Sequence, residues 1–362
     1  MREFTVAIQP DYEGLLKTVR REGTPKRVHH IELFLDAEVK KAIVDGFGLG
    51  RSLSKTDPRY GEKLEIELSR FLGYDYVHVG LDAGLIIPVN TVTQTDSAEL
   101  AKDGGRTWVP EGKGAIQSWE DFEKFPWPDP DKLTARSLEW YNANLPDDMT
   151  IIAGHSIAHY AEYLCWLFGY ESLCYALFEQ RDLVLAVKAK LEDLYEKAIA
   201  LMLQFDRVTM IWGSDDMGFK NGLLIGPEET RQLVLPGHKR MAEICHANGR
   251  PYLLHSCGAL AEIMDDLIND VRLDAKHSFE DVIQDVCSAK RQYGDRLTLL
   301  GGIDVDFLCR FDEKAVRERV RKTIDVCQPG GGWCLGTGNS VANYIPIDNY
   351  LTMLDEGRRY GR

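Results

Sequence analysis

Short apolar runs alternate with longer amphipathic stretches from one end of the chain to the other. The runs "RVHHIELF" (27–34), "YDYVHVG" (74–80), "MTIIAGH" (149–155), "RVTMIWG" (207–213), "RPYLLH" (250–255), "VRLDAKH" (271–277), "RLTLLGGID" (296–304) and "GGWCLGTG" (331–338) read as strands. They are short and largely continuous in apolar character, the pattern of strands covered on both faces. Helical patterns separate them, among them "GEKLEIELSRFLG", "LVLAVKAKLEDLYEKAIALMLQF" and "PEETRQLVLPGHKRMAEICHANG", the last stopped at Gly249. Strand–helix alternation implies right-handed crossovers and a parallel sheet. Eight such units in 362 residues favour a closed (β/α)8 TIM barrel over an open doubly wound sheet. No G-x-G-x-x-G follows the first strand, which weakens a dinucleotide-binding fold.

One segment breaks the alternation. Residues 81–148 carry threonines, aromatics and the Pro-rich "PWPDP", and read as an insertion after the second strand, a hairpin with connecting loops. In a barrel that position is the carboxyl rim, where insertions form lids and substrate walls. "PWPDP" marks its exit, so residues 1–362 are expected to form a single barrel domain.

Composition narrows the function classes. A chain that is 44% hydrophobic and 28% charged has ample material for a core, and its net charge of −14 argues against nucleic-acid or anionic-membrane binding. Neither a signal-peptide core nor a run of roughly 18–20 apolar residues is present, so a cytoplasmic location without a membrane span is expected. Eight cysteines without regular spacing do not make a disulfide framework. Cys165, Cys174 and Cys245 lie in helical patterns and are expected as reduced core residues.

A barrel puts its chemistry at the carboxyl ends of its strands. Those ends carry Asp36, Asp82, His155, Asp215 with Asp216, His255 with Cys257, His277, Asp304, and Thr337 with Asn339. Asp36 and Asp304 suit helix N-caps, and Glu280 and Asp281 suit a helix dipole. His255 and Cys257 are the sharpest pair. Zinc takes neutral imidazole and thiolate, and one intervening residue on an extended segment points both side chains the same way. Cys334 on the last strand is the thiol candidate for a third ligand. Asp215 and Asp216 could orient substrate, work as acid and base, or ligate the metal, because like charges held close push one pKa up. With His277 they are the candidate catalytic residues. Glu32, His78, Asp82, His155, Thr337, Asn339 and Asn343 are the candidate substrate contacts.

These stretches carry a resemblance. "HSCG" after the fifth strand, "LLGGID" at the seventh, a Gly-x-Gly turn at the eighth, the final P-x-x-N helix start and "WEDFEKFPWPDP" together resemble the uroporphyrinogen decarboxylase superfamily. That superfamily is a (β/α)8 barrel holding both decarboxylases and zinc-dependent, corrinoid-linked methyltransferases. The decarboxylases open with an Arg-Gln-Ala-Gly-Arg stretch that holds propionates, and "HHIELFLDAEVKK" has no arginine there. The methyltransferase branch binds zinc with His-x-Cys, matched by His255 and Cys257, and a cysteine between two glycines, where this chain has Thr337 in "GTG". The third ligand is then Cys334, or Asp216, Glu32 or a water. "KHSFED" and "LGTGNSVANYIP" are similar to the O-demethylase methyltransferases. The resemblance implies zinc, transfer of a methyl group between a small ether or thiol-class substrate and the cobalamin of a corrinoid protein, and 81–148 as lid and docking edge. The alternative it leaves is a cofactor-free decarboxylase of a tetrapyrrole or aromatic acid, using Asp82 or Asp215. A homodimer stays open.

Overall fold

The computed structural model describes residues 3–83, 85–98, 100, 105–110, 112–154 and 156–362. Seven strands form one curled parallel sheet in the order Tyr76–Val79, Thr150–Gly154, Val208–Ser214, Tyr252–His255, Ala275–His277, Thr298–Leu300 and Trp333–Cys334. Each is shorter than, or close to, the apolar run that predicted it. The buried pattern is continuous along Thr150–Gly154 and Tyr252–His255, as expected for strands packed on both faces. Helices cover the outside. In Arg181–Met202 the buried positions Leu183, Val187, Leu191, Leu194, Ala198 and Met202 recur at helical spacing and define its inner stripe. No helix among the described residues is long and apolar enough to cross a membrane.

The run at 27–34 does not become a regular strand. It lies along the last strand through isolated parallel bridges, His30 to Leu335 and Leu35 to Val341, with Ile31 N donating to Leu335 O at 2.8 Å. On its other side, side chains stand in for a ladder. Tyr76 Oη accepts from Glu32 N at 2.9 Å and donates to Glu32 O at 3.1 Å, and His78 Nε2 donates to the same carbonyl at 3.0 Å. The result is a barrel-like α/β fold with seven ladder strands and an extended segment in the eighth place.

Between Tyr76–Val79 and Thr150–Gly154 the chain forms an exposed antiparallel hairpin, Val92–Thr95 with Gly105–Trp108, and the helices Trp119–Lys124 and Arg136–Asn144. Asp304 caps Val305–Arg310 by accepting from Phe307 N at 3.1 Å, as its position predicted. Asp36 sits at the N-cap of Ala37–Phe47, yet its carboxylate takes the Asn343 N–H at 2.9 Å instead of a helix N–H. Of the cysteines expected in the core, Cys245 is buried and Cys165 half-buried, but Cys174 is exposed: its place on Tyr170–Glu179 falls outside the stripe of Leu173, Ala176 and Leu177.

Close backbone approach fixes the last turn. A Cβ on Gly336 would lie 1.8 Å from Ile31 O, against main chain that cannot yield. Gly336→Ala is therefore expected to destabilise by about 1–3 kcal/mol or more, seen as a drop in Tm or loss of soluble protein. Gly222→Ala, where nothing lies within 4 Å, serves as the tolerated control.

Candidate metal centre

Strand register brings the site together. Ser214, His255 and His277 are paired across three neighbouring strands, so their carboxyl ends stand level. Asp215 and Asp216 follow the first of these, and Ser256 and Cys257 the second. Consecutive residues of an extended segment face opposite ways, which splits the two aspartates. Asp215 turns into the wall, fully buried, and accepts from Ala161 N at 2.9 Å, Glu162 N at 3.1 Å and His238 Nε2 at 3.0 Å. It anchors the start of the helix Tyr160–Phe168. The two carboxylates thus have separate partners. Asp216 turns toward His255 and Cys257 instead. Burial works against its charge, but a protonated His255 imidazole and the Cys257 N–H, donating at 2.8 Å, hold its carboxyl well below the usual range.

One ligand atom from each of Asp216, His255 and Cys257 lies within 4.8 Å of the others. His255 Nε2 is 3.3 Å from Asp216 Oδ1 and 3.4 Å from Cys257 Sγ. Zinc bonds of about 2.0–2.3 Å in a tetrahedron set ligand atoms about 3.3–3.7 Å apart, so these edges fit. Asn339 Nδ2 donates to Cys257 Sγ at 3.2 Å, and Ser278 Oγ stands 3.9 Å from the same sulfur.

The tautomers point the same way. His277 Nε2 is 3.1 Å from the Thr337 carbonyl, which can only accept, so this nitrogen carries the proton. Burial, then the neighbouring His255, depress the His277 pKa well below its ordinary value, so the ring is neutral and Nδ1 is an acceptor. His255 Nδ1, 2.7 Å away, must donate to it. In a neutral His255 that leaves a lone pair on Nε2 aimed at a carboxylate oxygen and a sulfur. With His255 neutral, three electron-rich atoms face one another, and a metal cation between them would take the place of the proton that Nε2 otherwise carries. Burial and the Asp216 carboxylate push the Cys257 thiol up, a penalty that a metal ion reverses. The N, S and O donor set suits zinc.

Cys334 stands outside this cluster. It is fully buried on the last strand, and the charged groups that bear on it are Asp75, Arg27 and Lys290. It lies three positions before Thr337, so strand alternation turns it away from that residue's face. Thr337 holds Glu32: its N–H donates to Oε1 at 3.0 Å, and its hydroxyl also meets the carboxyl. Asn343 braces loops, donating from N to Asp36 and from Nδ2 to Asp96 Oδ2 at 2.8 Å. His155 lies outside the described residues.

A cavity of about 690 Å³ opens beside the first strands and is lined by Glu32, His78 and Asp82, three of the predicted substrate contacts, with Tyr74, Tyr76, Tyr141 and Tyr163. Asp82 also accepts from Ser137 N at 3.1 Å and so caps the helix Arg136–Asn144. The Asp216–His255–Cys257 trio does not line this cavity. The two are joined through Glu32, Thr337 and His277. Sequence reasoning missed His159 and Glu162. Their side chains meet at 2.5 Å, and Glu162 Oε2 accepts from Asp216 N at 3.1 Å, steadying the ligand from behind. The H-x-x-E spacing after a strand end was the available signal.

The uroporphyrinogen decarboxylase (URO-D) family model matches residues 78–360. No curated protein matches the chain. Among solved structures, a methyltransferase from Methanosarcina mazei shares the fold with a TM-score of 0.66 and 16% identity, covering 97% of this chain and 99% of that one. A protein described as a vitamin-B12-independent methionine synthase from Listeria monocytogenes aligns with a TM-score of 0.48 and 12% identity, over 94% of this chain and 98% of that one. The family match spans most of the sheet and every residue of the trio, and the chain belongs to the uroporphyrinogen decarboxylase (URO-D) family.

Proposed function

We propose that the protein is a zinc-dependent methyltransferase that moves a methyl group between a small substrate of the methyl ether or thiol class and the cobalamin of a corrinoid protein. The observation that carries this reading is the convergence of Asp216, His255 and Cys257 within 4.8 Å, with His255 Nε2 directed inward. Asp216 and the pair His255–Cys257 would hold zinc. Bound there, zinc would supply a Lewis acid that lowers a thiol's pKa or draws electrons from an ether oxygen. Asn339 shields the sulfur, His277 keeps His255 in the ligating tautomer, and His159 with Glu162 fixes the Asp216 backbone. Glu32, His78 and Asp82 belong to the cavity wall in which the small substrate is placed. The fold shared with the Methanosarcina mazei methyltransferase supports the same class. Residues 81–148 are assigned to a lid within a single barrel domain.

The decarboxylase alternative fares worse on electrostatics. Among the described residues Lys40 is the one cationic side chain in the cavity lining, against Glu62, Glu65 and Asp82, and it is already paired with Glu65 at 2.7 Å. A tetrapyrrole polycarboxylate has no counter-charge there. Metal analysis of protein purified without chelator tests the reading, together with methylcobalamin formation or consumption in the presence of methyl ethers or thiols. About one zinc per chain and a methyl-transfer signal are expected. Less than about a tenth of an equivalent, unchanged by Cys257→Ser, overturns the metal assignment. Carbon dioxide released from uroporphyrinogen would favour the alternative.

A further inference from the structure

Thr337 has one hydroxyl proton and two oxygen neighbours that compete for it. Its Oγ1 contacts Glu32 Oε2 on one side and the Asn339 backbone carbonyl on the other. A hydroxyl donates once and can accept elsewhere, and a carbonyl only accepts. The Thr337 proton must therefore go to Asn339. The contact with Glu32 then needs a proton of its own, and only the Glu32 carboxyl can provide it.

The surroundings agree. Glu32 is 1% exposed, and no cation among the described residues pairs with its carboxyl. Tyr76 and His78 bind its backbone and not its side chain. The hydroxyls of Tyr74 and Tyr350 satisfy each other. Across the cavity Lys40 is committed to Glu65, and Glu62 and Asp82 add only negative charge. Burial, opposed in part by the Thr337 hydrogen bonds, pushes the Glu32 carboxyl up to about 8.

We propose that Glu32 is a neutral carboxylic acid acting as a positioning residue: its proton leaves the Thr337 hydroxyl free to hold the Asn339 carbonyl, which keeps the Asn339 amide on the Cys257 sulfur. The Asn339 bond to Sγ, at 3.2 Å, favours the thiolate, so the cavity wall and the metal centre are linked through one proton. Once Glu32 ionises, its carboxylate takes the Thr337 proton and the Asn339 carbonyl loses its donor. This rests on the proposed function only in treating Cys257 as a metal ligand. The folded chain keeps a proton that the unfolded chain releases near 4.5, so this stability is present below that pH, is lost as pH rises toward about 8, and changes no further above it.

Infrared difference spectra of the full-length protein, wild type minus Glu32→Gln, test the first half. A protonated carboxyl C=O band is expected at pH about 6.5 and should titrate away with a midpoint of about 8. A carboxylate signature at pH about 6.5 overturns the proposal. The Gln amide can donate to Thr337 Oγ1 and its oxygen can accept the Thr337 N–H, so Glu32→Gln should keep the wild-type Tm. The second half is read by NMR of asparagine-labelled protein, with the Asn339 side-chain amide assigned through Asn339→Asp. Its resonance should shift over the same alkaline range in the wild type and stay fixed in Glu32→Gln. A resonance that does not move in the wild type overturns the positioning role. If Glu32→Gln does not fold, Thr337→Val, which lacks the shared hydroxyl, must abolish the shift, and its persistence sinks the idea. Neither readout uses metal, so a protein found to bind no zinc would defeat the proposed function and leave these results standing.

Discussion

Asp216→Ala is expected to leave purification with less than about a tenth of an equivalent of zinc, against about one in the wild type. Cys334→Ser should keep the wild-type content. The contrast separates two third ligands that the chain offers. Asp216 lies 3.3 Å from His255 Nε2, and its carboxylate is held in its ionised form by the Cys257 N–H and, in the metal-free protein, by a protonated His255. Removing it leaves two protein ligands, too few for a tight structural or catalytic zinc site. Cys334 is buried away from the trio, and burial pushes its thiol up in spite of Arg27 and Lys290. Losing it should cost some packing stability and no metal. Methyl transfer should fall about 100-fold or more in Asp216→Ala and stay within a few-fold of wild type in Cys334→Ser. Inductively coupled plasma measurements on both variants decide the matter. Zinc lost from Cys334→Ser and retained in Asp216→Ala would return the sulfur of the last strand to the site and remove the carboxylate from it.

Much of this was legible because strand geometry is regular. Seven of the eight apolar runs contain ladder strands, since continuous apolar character can persist only in a segment covered on both faces. The run 27–34 departs because its polar residues found side-chain partners: His29 bonds Asp75 at 2.7 Å, and Glu32 is held by Tyr76, His78 and Thr337. The His255-x-Cys257 spacing was readable for the same geometric reason, since two residues along an extended chain return to one side. The face chosen by Asp215 or Asp216 was not readable. It depends on His238 and the helix start at Tyr160–Phe168, both far away in sequence, which capture Asp215. Nor could spacing place Asn339 on the Cys257 sulfur, a contact made across 82 positions.

His277→Phe is expected to weaken zinc binding by about 10–100-fold while leaving all three ligands in place. Phenylalanine keeps an aromatic ring in this buried position, opposite Trp212 at 5.8 Å, but it neither donates nor accepts in the ring plane. Two hydrogen bonds then fail together. The Thr337 carbonyl loses the Nε2–H that faced it at 3.1 Å, and His255 Nδ1 loses the acceptor 2.7 Å away. Leaving buried polar groups unpaired costs about 1–3 kcal/mol each, so some loss of Tm accompanies the variant. The more telling effect is on His255 itself. With no acceptor at Nδ1, its proton can move to Nε2, where it satisfies Asp216 and blocks the metal. The spectrum of the cobalt(II)-substituted protein separates the two consequences, because a purely structural loss would lower Tm without altering cobalt affinity at a temperature where the fold is intact. Unchanged cobalt affinity in a folded His277→Phe protein would show that His255 does not depend on this partner for its ligating tautomer. His277→Gln, whose amide can face both the His255 N–H and the Thr337 carbonyl, should recover part of the affinity, which simple packing of a smaller side chain would not do.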